Sequence, residues 1–197
     1  WSWGNNGNGQ LGDSTTIGKR YPVQVKNLSG VTKISAGYDF SLALKSDGTL
    51  WSWGYNGNGR LGDGTFVQKI YRVQVLVLGN TVLSMDGGQD FALAIKNDGT
   101  VWGWGYNGYG QIGDNTTTQS AFPVQTLGGM TNVISISAGG YHSLAMKNDG
   151  SVWGWGYNYE GQLGNGINNN YYMLPQRTKY LCPAQDIDID IDLSAAC

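Results

Sequence analysis

Four elements of the form W-x-W-G, beginning at Trp1, Trp51, Trp102 and Trp153, divide this chain at spacings of 50, 51 and 51 residues. They contain all eight tryptophans. A period of this size marks a repeat architecture, in which each unit is too small to bury its own apolar face and does so against its neighbours. Each element opens a longer repeat: "WSWGNNGNGQLGD", "WSWGYNGNGRLGD", "WGWGYNGYGQIGD" and "WGWGYNYEGQLGN". The glycines within it, at 7–12, 57–62 and 108–113, also fit the G-x-G-x-x-G pattern of dinucleotide loops. That pattern has its nucleotide meaning only where it leaves a strand and opens a helix in a βαβ unit. Here it recurs three times, and a fourth copy, "YEGQLG" at 159–164, has lost the first glycine. A turn tolerates that loss, whereas a phosphate cradle does not, so no cofactor is expected.

Between the tryptophan elements run "ISAGYDFSLALKSDGTL", "SMDGGQDFALAIKNDGTV" and "ISISAGGYHSLAMKNDGSV", with Asp-Gly steps at Asp47, Asp98 and Asp149. Asp-Gly between two apolar runs predicts a hairpin, with a type I′ turn expected because its two central residues need positive φ. The arms are "FSLALK" (40–45) and "TLWSWG" (49–54), and "VTKISAG" precedes them. A shorter run, "YPVQV" at Tyr21, recurs as "YRVQV" at Tyr71 and "FPVQT" at Phe122. Pro22 and Pro123 place this run at a strand start or a sheet edge. Four short strands per unit of about 50 residues, with no helical periodicity, predict an all-β chain of propeller blades.

The period of two along a strand puts Trp51 and Trp53 on one face, with Trp102 and Trp104, and Trp153 and Trp155, repeating the arrangement. Ser52, Gly103 and Gly154 keep the opposite face thin, which is expected to let the next blade's sheet approach closely. Each large aromatic so buried contributes roughly 1.5–3 kcal/mol.

The segments "WGYNGYGQIG" at Trp104, "AGGYHSLAM" at Ala138 and "NDG" at Asn148 resemble the repeats of the regulator of chromosome condensation family over residues 1 to about 176. The resemblance implies a β-propeller whose blades are four-stranded antiparallel sheets, with 177–197 a divergent tail. Family propellers close into rings. This chain has three whole repeats, a fragment at Trp1 and an incomplete unit after Trp153, and is expected to be an excerpt of a longer polypeptide. The alternatives are an open arc of three to four blades and a ring completed by another copy. Family members include a nucleotide exchange factor for a small GTPase, but that activity depends on particular loops and charges, and a shared scaffold does not carry it over.

Composition narrows the partners. A net charge of −2 with only 12 Lys plus Arg supplies no basic face, so nucleic acid is not expected. No apolar run approaches the length of a membrane span, and a soluble chain is expected. Cys182 and Cys197 lie in the tail, where a bridge would close a loop of about 16 residues and stabilise by roughly 3 kcal/mol. Two separate thiols are the alternative. Low charge, many Asn, Ser and Thr residues, and sequons at Asn27 and Asn115 lean towards a secreted protein.

His142 is the only histidine, and its register mates are Phe40 and Phe91, so a packing role is expected and no metal site. No nucleophile stands beside a base, so no enzyme is expected. Asp13, Asp63, Asp114 and Asn165 follow the glycine turn and are read as turn residues in preference to a ring of cation ligands. "DIDIDIDL" at 186–193 is read as a charge-protected edge strand in preference to a calcium ladder. Tyr55, Tyr106 and Tyr157 share one register in the loop after W-x-W-G, with Tyr109 and Tyr159 close behind. Each ring could cap its own blade; on neighbouring blades they could instead line one rim with residues enriched in binding hot spots. A non-enzymatic scaffold binding another protein through these loops is expected. A glycan stacked on the same tyrosines is the alternative, and nucleotide exchange a third.

Overall fold

The computed structural model describes residues 1–168, 170–179, 187–189 and 194–196. It begins with an antiparallel pair, β1 (Ser2–Gly4) and β2 (Lys19–Val23). Three four-stranded antiparallel sheets follow. The first is β3 (Val31–Ala36), β4 (Phe40–Lys45), β5 (Leu50–Gly54) and β6 (Lys69–Gln74). The second is β7 (Val82–Gly87), β8 (Phe91–Lys96), β9 (Val101–Gly105) and β10 (Ser120–Gln125). The third is β11 (Val133–Ala138), β12 (His142–Lys147), β13 (Val152–Tyr157) and β14 (Tyr171–Arg177). A short pair, β15 (Ile187–Ile189) and β16 (Ser194–Ala196), closes the described chain, with β15 against β11 and β12. The sheets form an open arc of blades, each an in-order meander.

The blades span 31–74, 82–125 and 133–177, out of phase with the tryptophan repeats, because W-x-W-G is the third strand of its blade. A unit counted from Trp51 therefore holds the outer strands of one blade and the inner strands of the next. Every repeat crosses a blade boundary covalently.

The tryptophan pairs share a face, as their spacing predicts, and turn towards the preceding blade. Trp102 and Trp104 join one apolar cluster with Leu61 and Val75, and Trp153 and Trp155 join another with Phe91 and Val101. In the last three pairs the second indole donates its Nε1–H to a carbonyl in the preceding glycine loop: Trp53 to Gln10 at 2.8 Å, Trp104 to Arg60 at 2.9 Å, Trp155 to Gln111 at 2.7 Å. Position in the arc sets burial. Trp104 and Trp155 are 0% exposed, whereas Trp3, in the same register on β1, is 63% exposed. Likewise Ile34 on β3 is exposed while its mates Met85 and Ile136 are buried, and an apolar cleft flanked by Trp1, Trp3, Ile34 and Tyr38 runs along that edge.

The thin face of the W-x-W-G strand works differently from expectation. It receives the glycine loop of its own repeat, not the next sheet. Ser52 Oγ donates to Leu61 O at 2.7 Å, and a Cβ on Gly103 would stand 3.2 Å from Ile112 Cα. That loop in turn presents its outer side to the following blade. Gly59, at φ +76°, sits so close to β10 that a Cβ would be 2.6 Å from Ala121 Cα, a contact no other residue allows. The glycine loop is thus the layer between blades.

The Asp-Gly hairpins form, but not through the expected type I′ turn. Only Gly48 has positive φ, at 79°; Asp47 does not. Lys45 and Thr49 pair, Gly48 N–H donates to Lys45 O at 3.0 Å, and the three-residue loop is a type I turn with a left-handed glycine. Asp47 Oδ1 accepts from both Thr49 N–H (3.0 Å) and Thr49 Oγ1–H (2.6 Å), an additional tie that fixes the turn from its side chain.

The inner strands of all three blades meet at Asp86 on β7. Its carboxylate accepts from Ser35 Oγ on β3 at 2.8 Å and from Ala138 N–H on β11 at 2.8 Å, while Ser137 Oγ lies at 3.4 Å. One side chain thereby joins three sheets.

Candidate functional site

The loops between the first and second strands of a blade and those between its third and fourth strands emerge at the same end of the sheet. They are tied there by backbone bonds from Tyr55 N–H to Asp39 O, Tyr106 N–H to Asp90 O and Tyr157 N–H to Tyr141 O, each 2.9 Å. The longer loop is organised by a buried asparagine. Asn56 Nδ2 donates to Asp63 Oδ1 at 3.1 Å, Thr65 O at 2.9 Å and Val67 O at 3.2 Å, while its Oδ1 accepts from Leu61 N–H at 3.0 Å. Asn6, Asn107 and Asn158 repeat the arrangement. Neither composition nor hydropathy singles out these asparagines. Their signal is identity at one register in all four repeats.

Asp13, Asp63 and Asp114 each bind the Thr two residues on and the hub asparagine of their own loop, so they are turn residues. Asn165 does the same with Asn158 and Ile167. Among the described residues no group of His, Cys, Asp and Glu side chains is arranged to hold a metal. His142 is buried at the start of β12, opposite Gly156. Cys182, Cys197, Asp186 and 190–193 lie outside the described residues.

The tyrosines divide into two environments. Tyr55 folds over Gly57 of its own loop and lies under the buried Arg60, whose guanidinium carbon is 4.7 Å from the ring centroid and which forms an ion pair with Asp90 of the next blade. Tyr106 folds in the same way over Gly108 but meets other rings. Its centroid is 6.3 Å from Tyr109 and 6.1 Å from Tyr141. Tyr109 is the centre: Tyr141 lies at 5.4 Å, Tyr157 at 5.1 Å and Tyr171 at 6.3 Å, all edge-to-face. Tyr159 packs on Tyr157 at 5.0 Å and is 43% exposed. Burial, then the neighbouring Tyr109 and Tyr141 and the Asp90 carboxylate, pushes the Tyr106 phenol above its ordinary range.

Of the tyrosines named from sequence, Tyr106, Tyr109, Tyr157 and Tyr159 form one patch and Tyr55 stands apart. Tyr141 and Tyr171 complete the patch. They come from other segments, and only blade-to-blade packing brings them in.

This arrangement of four-stranded blades, indole seams and glycine loops defines a class of repeat propeller. The model of the regulator of chromosome condensation (RCC1) repeat matches residues 1–44, 47–95, 98–146 and 149–187, and the chain belongs to that family. It is 31% identical over 170 residues to the ultraviolet-B receptor UVR8 of Arabidopsis thaliana, covering 84% of this chain and 38% of that protein. It is 34% identical over 171 residues to the human E3 ubiquitin-protein ligase HERC2, covering 86% of this chain and 2% of that protein. Among solved structures, human WBSCR16 superposes with a TM-score of 0.85 at 24% identity, over 98% of this chain and 52% of that one. Prp20p of Saccharomyces cerevisiae, whose binding to Gsp1p and histones is described with its structure, gives 0.71 at 25% identity, over 90% of this chain and 45% of that one. The chain thus spans about half, or less, of the length of these relatives. No helix among the described residues is long and apolar enough to cross a membrane.

Proposed function

We propose that this chain is a non-enzymatic RCC1-repeat scaffold that binds another protein through the tyrosine rim formed by Tyr106, Tyr109, Tyr141, Tyr157, Tyr159 and Tyr171. The observation that carries the proposal is convergence: loops and strand ends of two successive blades bring six amphipathic rings into one contiguous patch. Tyrosine supplies large contact area with few rotors to freeze, so it is enriched where binding energy concentrates. Relatives support a protein partner: Prp20p binds Gsp1p and histones, and Kap60 binds yeast RCC1. The rings lie mostly at 63–79° to one another, which favours gripping irregular side chains over the flat stacking a sugar ring needs.

The test is selection of phage-displayed random peptides on the chain, followed by comparison with the double variant Tyr106→Ala/Tyr157→Ala. Enriched peptides are expected to lose about thirtyfold in affinity, corresponding to about 2 kcal/mol, for the double variant. Circular dichroism should stay unchanged. Tyr21→Ala, on the exposed strand β2, serves as the control. Peptides that bind the double variant as well as the parent would refute the proposal.

A further inference from the structure

In the first two repeats the side chain at one position of the glycine loop bonds to the next blade, and in the third that side-chain bond is missing. Gln10 Oε1 accepts from Asn8 N–H at 2.9 Å, which fixes its amide so that Nε2 reaches Asp39 Oδ1 of the next blade at 3.1 Å and Asn5 Oδ1 at 3.4 Å. In the second repeat Arg60 occupies this register and pairs with Asp90, the mate of Asp39. In the third repeat Gln111 is held as Gln10 is, accepting from Tyr109 N–H at 2.9 Å. Both acceptors have changed, however. Asn5 is replaced in register by Tyr106, and Asp39 by Tyr141. Gln111 is 0% exposed, and its Nε2 has no hydrogen-bond partner.

A buried amide donor left unpaired costs on the order of 1–3 kcal/mol, so such a group calls for an acceptor. The mates in the first two repeats, Gln10 and Arg60, show which kind: there the donor meets an aspartate carboxylate from the neighbouring blade. Tyr141 and Tyr106, the rings replacing those acceptors, are members of the tyrosine patch. We propose that Gln111 Nε2, whose register acceptors are replaced by Tyr106 and Tyr141, is the anchoring donor of a carboxylate-binding pocket, and that an Asp or Glu side chain of the protein partner takes the place Asp39 and Asp90 hold in the first two repeats. This rests on the tyrosine rim being the binding surface. Entry requires the half-buried Tyr141 ring to swing outward, after which the rim tyrosines pack around the acidic residue and exclude water from its bond to Gln111.

The test uses nuclear magnetic resonance of the full chain, with N-acetylglutamate methylamide as probe and N-acetylglutamine methylamide as the uncharged control. The Gln111 side-chain amide signals are expected to shift saturably with the glutamate derivative and not with the glutamine one. Tyr141→Asp restores the internal acceptor that the other two blades carry, so its Gln111 signals should already stand at the bonded position and ignore the probe. Equal responses to both compounds, or none, in the parent chain overturn the proposal. So does a probe response that persists in Tyr141→Asp. Because this readout needs no peptide ligand, it fails or succeeds separately from the rim: peptides that depend on Tyr106 and Tyr157 but tolerate replacement of every acidic residue would remove the carboxylate pocket and leave the rim standing.

Discussion

Asn56 shows how one residue type can be the only solution at a site. Its amide donates three ways into its own loop and accepts from Leu61 N–H, all at 0% exposure. No other side chain of that size both donates and accepts so fully. Asn56→Ala leaves the Leu61 amide and two backbone carbonyls without partners and should cost about 3 kcal/mol. Urea unfolding of the purified chain measures this as a drop in midpoint. Asn56→Asp keeps the acceptor for Leu61 but sets a carboxylate against Asp63, 3.1 Å from the present nitrogen, and should be no better. A variant as stable as the parent would mean that the loop is held by its glycines alone. Identity at four equivalent positions made this asparagine visible in the sequence; its four-way bonding was not, because the partners are mostly backbone groups that any sequence possesses.

At the scale of the element, the hairpin turn carries its own charge chemistry. The Thr49 hydroxyl, then Lys45 and the Thr49 amide, hold the Asp47 carboxylate down from the ordinary 3.8 to about 2. Asp98 and Asp149 are also lowered, chiefly by the hydroxyls of Thr100 and Ser151. A folded-state value below the unfolded one stabilises fully above the unfolded value, and the contribution disappears as pH falls through the folded one. The chain should therefore lose stability as pH drops from about 4 towards about 2. The triple variant Asp47→Asn/Asp98→Asn/Asp149→Asn should flatten that slope. Urea midpoints across this pH window test it, and parallel curves for the two proteins would contradict it. The sequence announced a turn through Asp-Gly; it misled on type, because the left-handed conformation falls on Gly48 alone while Asp47 is committed to Thr49.

At the scale of the molecule, blades join at three radii. Asp86 links the inner strands, indoles set against glycine loops fill the middle, and the Gln10–Asp39 and Arg60–Asp90 bonds link the loops at the rim. Asp86→Ala removes the inner link and leaves Ala138 N–H without its acceptor. It should lower stability by about 2 kcal/mol, with hydrogen exchange at Ala138 rising before exchange in the centre of β8 or β12. Uniform acceleration across all strands would show that the blades do not open separately. Nothing in the sequence pointed to this clasp. Ser35, Asp86 and Ser137 share a register, but a serine–aspartate–serine series has no periodic signature, and only the convergence of three sheets makes it a cluster.

Local pattern was enough to read the blade. The period of 51, the tryptophan alternation and the Asp-Gly steps are local, so strands, hairpins and family could be read from them without knowing what each touches. The joins became visible only with the sheets packed: the glycine loop lies against its own Ser52 face and receives the next blade's indole, and Tyr141 and Tyr171 gather around Tyr109. The reason is geometric. Contacts that every unit repeats, within a blade or across a seam, recur at nearly fixed sequence offsets and imprint a period without naming their partners, whereas the tyrosine patch draws single residues from separate segments and leaves no period to find.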